Sequence, residues 1–145
     1  MADLAALERL CNVLPGRISE AASTMAVQVT QAMADNLIDH TPVDTTEHAS
    51  NWQVEVNGRP TFGLPAIVPG EYGSTAPQSR REAKAHVARA LKDKAPGVMV
   101  DLANLAPAIE DLNNGTSKQE PAGMVQRGLR VGERYCATHK LEIKL

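Results

Sequence analysis

The sequence predicts an α+β fold: a long N-terminal helix and further helices packed on a small, mainly antiparallel β-sheet. Three observations predict it. Ile18, Ala22, Met25, Val29, Ala32 or Met33, and Leu37 recur at three- and four-residue steps, the spacing of one helical face. Residues 51–57 (NWQVEVN) alternate apolar and polar, the signature of a half-buried strand. Further alternating runs at 97–103 and 139–145 are separated from it by helical stretches, an order that fits helices covering one face of a small sheet.

The chain has 145 residues, 43% apolar and 22% charged. That length buries roughly two-thirds of the surface its unfolded chain exposes, enough for one continuous core. We read residues 1–145 as a single domain, with a helical segment over 1–40 and an α+β body over 51–145. Apolar residues are too many for a disordered chain. Only 3% are aromatic, which argues against the stacking platforms that bind single-stranded nucleic acid. Residues 1–50 carry seven acidic and two basic side chains, so the net charge of -2 divides into -5 there and +3 in the remainder. The N-terminal part repels a phosphate backbone and the rest weakly attracts one.

Residues 3–13 place Leu4, Leu7, Cys11 and Leu14 on one helical face, and Pro15 predicts a break or kink. A second helix then runs from Pro15 to about Asp39, roughly 37 Å at 1.5 Å per residue. Pro42 drives His40-Thr41 out of the helical region. Asp44, Thr45 and Thr46 supply local caps to backbone amides. In the strand at 51–57, Trp52, Val54 and Val56 point inward, and Asn57-Gly58 marks a turn. Four prolines and four glycines between 58 and 77 predict a long mobile loop.

Thr75 is the expected N-cap of a helix over 77–94, with Pro77 in its first turn and Ala83, Val87, Ala90 and Leu91 as its apolar stripe. Its other faces carry six basic residues against Glu82 and Asp93. Arg80, Arg81, Lys84 and Arg89 are the candidates for contact with an acidic partner or DNA phosphates; the plainer reading is a solvated face. The strand at 97–103 points Val98, Val100 and Leu102 inward. Asn104 is positioned to cap a short helix over 106–114, which Gly115 ends. A loop at 116–123, a helix from about Pro121 to Tyr135, and a final strand carrying Leu141, Ile143 and Leu145 complete the chain.

Candidate chemistry is sparse. His40, Asp44 and His48 have metal-ligand spacing only on a continuous helix, which Pro42 interrupts. Cys136 and His139 form half a zinc pattern with no second pair. Nucleophile elbows, phosphate loops and dinucleotide fingerprints are missing from the sequence. We expect no catalysis, no metal and no cofactor. Asp3, Glu8 and Arg9 interrupt any signal-peptide core, and no stretch approaches the ~20 apolar residues that span a bilayer. The expectation is a soluble chain made in the cytosol, with Cys11 and Cys136 reduced.

Two blocks carry a family resemblance. TPVDT at 41–45 followed by Asn51-Trp52, after a long helix, and NLAPAIEDLNNGTSKQEPAGMV at 104–125 resemble the neck or tail-completion proteins of tailed bacteriophages, of the lambdoid minor tail component type. That family places TPVDTG before a Ser-Trp or Asn-Trp pair. Its second block reads Asn-x-Pro-Tyr, Leu-Asn-x-Gly-x-Ser, then Gln-x-Pro-x-Gly. The matching positions are Thr41, Pro42, Val43, Asp44, Thr45, Asn51 and Trp52, then Asn104, Pro107, Leu112, Asn113, Gly115, Ser117, Gln119, Pro121 and Gly123.

The chain departs from the pattern at Thr46, where the family has glycine, at Ala108, where it has tyrosine, and at Glu47, often a basic residue there. A positive φ at Thr46 would have to be held by a β-branched side chain at a cost. The resemblance implies a non-enzymatic virion protein, assembled in the host cytoplasm as a homo-oligomeric ring at the head–tail junction. Its partners would be the neighbouring head-connector and tail proteins, with genomic DNA passing through the lumen. The alternatives are a tail-terminator ring, or a small cytosolic module that binds nucleic acid or an acidic partner through its basic helix.

Overall fold

The protein, described over residues 3–145 in a computed structural model, has the α+β fold its sequence predicts. Helix α1 spans Leu4–His40, α2 Glu47–Ser50, strand β1 Trp52–Val56, α3 Ala76–Leu91, β2 Val100–Asn104, α4 Ile109–Asn113 and α5 Met124–Thr138. The two strands pair antiparallel, with Trp52 opposite Asn104 and Val56 opposite Val100. Helices α1 and α3 pack on the sheet, and α5 packs along α1. No helix among the described residues is long and apolar enough to cross a membrane.

The core forms where these elements converge. Ala34, Leu37 and Ile38 of α1 meet Trp52 and Val54 of β1, Ala83, Val87 and Leu91 of α3, and Met124 of α5. The α3 stripe read from the sequence is therefore the buried one, with Ala90 packed at its margin. Asp3 caps α1 by accepting from the Ala5 amide at 3.0 Å.

Pro15 does not break the N-terminal helix: α1 is continuous for 37 residues, about 55 Å. Proline removes the amide that would bond the Cys11 carbonyl. Both residues are exposed, so water solvates that carbonyl and the helix tolerates the loss. Most of α1 before Ser23 lies in solvent, with Leu4, Leu7, Leu10, Val13 and Ile18 all exposed.

Several boundaries differ from the sequence reading. The second strand starts at Val100 rather than 97, because Gly97 is left-handed (φ 77°) and the Val98 amide closes a turn onto the Ala95 carbonyl. Thr75 precedes α3 but does not cap it; its hydroxyl donates instead to the Val68 carbonyl. Asn104 lies five residues before α4 and accepts from the Ala106 amide, while Gly115 (φ 89°) does end that helix. Helix α5 starts and ends three residues later than expected. The unforeseen α2 is a single turn. Residues 139–145 form no strand, because no sheet edge of the same chain lies beside them to satisfy an extended backbone.

The 58–77 segment is irregular but is not a free loop. Gln53 donates to the Phe62 carbonyl, Asn51 bonds both the amide and carbonyl of Leu64, and Ser50 accepts from the Ile67 amide. Asn51 and Gln53 face away from the core as the alternation requires, yet this loop buries them.

Candidate functional site

The motif residues converge on the corner where α1 turns into β1. Thr41, Pro42 and Val43 are all buried there. The Thr41 hydroxyl donates to the Leu37 carbonyl at 2.6 Å, as a terminal residue one turn beyond it can. The same oxygen accepts from the Trp52 indole N–H at 2.7 Å. One hydroxyl thus satisfies an orphan carbonyl of the helix end and the only polar atom of a buried indole.

Val43 is clamped from the second motif block. Its amide donates to Gln119 Oε1 at 3.0 Å, and its carbonyl accepts from Gln119 Nε2 at 3.2 Å. The side chain imitates a β-bridge across 76 positions of sequence. Asp44 accepts from the Tyr72 amide through its carboxylate and from the Gly73 amide through its backbone carbonyl. Thr45 is exposed.

Thr46, where the related pattern has glycine, is left-handed at φ 72° and ψ -5°. It is 1% exposed, and its hydroxyl donates to the Val68 carbonyl at 2.8 Å. The backbone needed a positive φ at this residue, and a buried hydrogen bond holds the β-branched side chain in it. Ala108, in the family's tyrosine position, is also left-handed, at φ 60°.

The second block is internally tied in the same way. Asn104 donates to the His48 carbonyl at 2.8 Å, and the Pro107 carbonyl contacts His48 Nε2 at 2.8 Å. Leu112 packs on the core. Asn113 accepts from the Val125 amide through its side chain and from Gly123 through its carbonyl. A Cβ on Gly115 would sit 3.0 Å from that of Ala122. Ser117 accepts from the Gln119 amide and so sets the clamp residue. The Pro121 carbonyl accepts from Arg127, and Gly123 (φ 89°) opens α5.

The four basic candidates do not form one free patch. Arg80 donates to the Thr41 carbonyl at 3.1 Å, and Lys84 pairs with Asp39 at 2.7 Å. Both close the end of α1, favourable for cations beside a helix C-terminus. Arg81 and Arg89 are the two left exposed.

Sequence reasoning missed two contributors. Glu120 pairs with Arg127 and with His40 Nδ1, joining the 116–123 loop to the end of α1. Gly128 and Gly132 bring α5 close to α1: an added Cβ would meet Leu37 Cδ2 at 2.6 Å and Met33 Sδ at 2.5 Å. Their four-residue spacing was a legible signal for close helix approach.

Apart from the Trp52–Thr41 bond and the Glu120 pairs, the side chains of this corner spend their hydrogen bonds on backbone groups. Thr41, Asn51, Asn113 and Gln119 position chain rather than present reactive atoms. Among the described residues, no group of three or more His, Cys, Asp or Glu side chains is arranged to hold a metal. No family model, curated protein or solved structure matches the chain.

Proposed function

We propose that this chain is a structural subunit of a tailed-bacteriophage virion, forming a ring at the head–tail junction that joins head and tail and lets DNA pass. The observation that carries the reading is the Gln119–Val43 clamp. The two sequence blocks that resemble the neck and tail-completion family meet at one corner through it, as parts of one architectural motif should. The left-handed Thr46, at the position where that family carries glycine, supports the same reading.

A ring suits a small subunit, because cyclic symmetry repeats each modest contact until every interface is closed. The role asked of each copy is rigidity, and a corner fixed by hydrogen bonds from three directions provides it.

Electron microscopy of lysates in which the gene is disrupted tests this. Filled heads beside separate tails, or heads that leak DNA, are the expected result. Normal infectious particles would overturn it.

A further inference from the structure

The last seven residues, HKLEIKL, place Leu141, Ile143 and Leu145 on one face when extended, and Lys140, Glu142 and Lys144 on the other. They form no strand, and the three apolar side chains are 45%, 39% and 83% exposed. This segment has strand periodicity without a sheet to join.

The sheet has an open edge at β2. The Asn57 amide donates to the Met99 carbonyl at 2.9 Å, and the register pairs Val56 with Val100. In an antiparallel ladder this makes Glu55–Asp101 and Gln53–Ala103 the hydrogen-bonded pairs. The backbone N–H and C=O groups of Val100, Leu102 and Asn104 therefore point away from β1. No hydrogen bond among the described residues reaches them. An unpaired edge of this kind is a template for another strand.

The chain's own tail lies on the wrong side to fill it. Residues 138–142 and 144 border Arg17, Glu20, Ala21, Thr24, Met25 and Gln28 of α1. Gly97–Val100, leading into β2, borders Ser19, Ala22, Ser23, Ala26, Val29 and Thr30. At about 100° per residue these two sets occupy opposite sides of the helix. The body of α1 separates tail from edge within one copy.

We infer that the C-terminal tail of one copy adds to β2 of a second copy as a third strand. Leu141, Ile143 and Leu145 extend the apolar row of Val100 and Leu102, which packs against the core. The opposite face brings Lys140 and Lys144 beside Asp101, a partly exposed carboxylate on the outer face of β2 that already pairs with the exposed Arg59 at 3.1 Å through one oxygen. A strand with lysine on both sides of Glu142 offers a cation to Asp101 in either direction, and opposite charges across strands are favourable. Donor and acceptor lie on opposite sides of α1, so the contact is head-to-tail and propagates around a ring. The inference rests on the ring reading and names the contact that closes it.

Light scattering and sedimentation of the full chain and two variants test the exchange. One variant ends at Lys140. The other, Val100→Pro, blocks an outward amide at the first residue of an edge strand, where proline is tolerated. Circular dichroism checks that both fold. The full chain is expected to assemble and each variant alone to stay monomeric. Mixed, they should form a one-to-one pair, the truncated copy supplying the edge and the other the tail.

If Val100→Pro does not fold, a His139–Leu145 peptide added to a chain ending at Thr138 reads the same edge, by protection of the Val100 and Leu102 amides from exchange. Truncated chains that assemble like the full one would overturn the exchange and leave the ring reading standing. A full chain that stays monomeric would also overturn the exchange. The ring reading is then decided separately, by particle morphology after gene disruption.

Discussion

The Trp52 indole N–H and the Thr41 hydroxyl are 2.7 Å apart, and the same hydroxyl reaches the Leu37 carbonyl at 2.6 Å. A strand residue is thereby bonded to the last turn of the helix before it, through a single oxygen that both donates and accepts. Trp52→Ala should cost about 3–5 kcal/mol, the range for deleting a large buried aromatic. Thr41→Val should cost about 1–3 kcal/mol by leaving the indole N–H and the Leu37 carbonyl unpaired. Trp52→Phe on the Thr41→Val background should cost less than it does alone, since the bond is already gone. Urea unfolding of the four proteins measures the coupling; strictly additive values would mean the bond contributes nothing.

Gln119 acts through both ends of its amide, so the isosteric Gln119→Glu is the informative change. It keeps an acceptor for the Val43 amide and sets a carboxylate oxygen against the Val43 carbonyl. We expect Gln119→Glu and Gln119→Ala each to destabilise by about 1–3 kcal/mol, because buried Val43 groups lose their partners. Equal thermal midpoints for the two variants and the parent would refute the clamp's energetic role.

Thr46 separates backbone strain from hydrogen bonding. Thr46→Ala removes the bond to Val68 but keeps a Cβ at positive φ, so it should cost about 1 kcal/mol. Thr46→Gly loses the same bond but relieves strain of roughly 1–3 kcal/mol, against a glycine entropy penalty of about 0.5–1 kcal/mol. Glycine should therefore be the more stable of the two variants. Denaturant midpoints in the reverse order would mean that Thr46 is not strained.

Gly128 and Gly132 invert the usual helix rule. Alanine in a solvated helix is favoured over glycine by up to about 1 kcal/mol. Here an added methyl would press on Leu37 and Met33, and overpacking costs about 1–3 kcal/mol. Gly128→Ala should lower the melting temperature, whereas alanine at exposed Gly16, which has nothing within 4 Å, should leave it unchanged or raise it. Calorimetry of the pair decides the matter.

The elements with strong periodicity were legible in part: the apolar stripe of α3 and the Trp52–Val54 side of β1 lie where the spacing put them, whereas of the predicted α1 face only Leu37 reaches the core beside Ala34 and Ile38, and Ile18 and Ala22 are exposed. The left-handed Thr46 stands where the pattern the sequence resembles carries glycine. What escaped depended on the environment of a residue rather than its type. Pro15 reads as a breaker, but at an exposed position its missing hydrogen bond is replaced by water. Asn51 and Gln53 read as solvent-facing, yet an irregular loop needs partners for its backbone and finds them there. Arg80 and Lys84 read as free charges because nothing local says that the end of α1, some 40 residues back, comes beside them.

Helix α1 is one element by geometry and two by energetics. Its last turns are held by the core, the α5 glycines and the Thr41 relay, so their amides should exchange with solvent only when the whole molecule unfolds. The stretch before Pro15 has no such buttress, and a helix that short is marginal on its own. Its amides should exchange by local fraying, with protection rising along the rod from Leu4 toward Leu37. A single unbroken helix would then have two melting temperatures, and the lower one would rise only when something binds the exposed end.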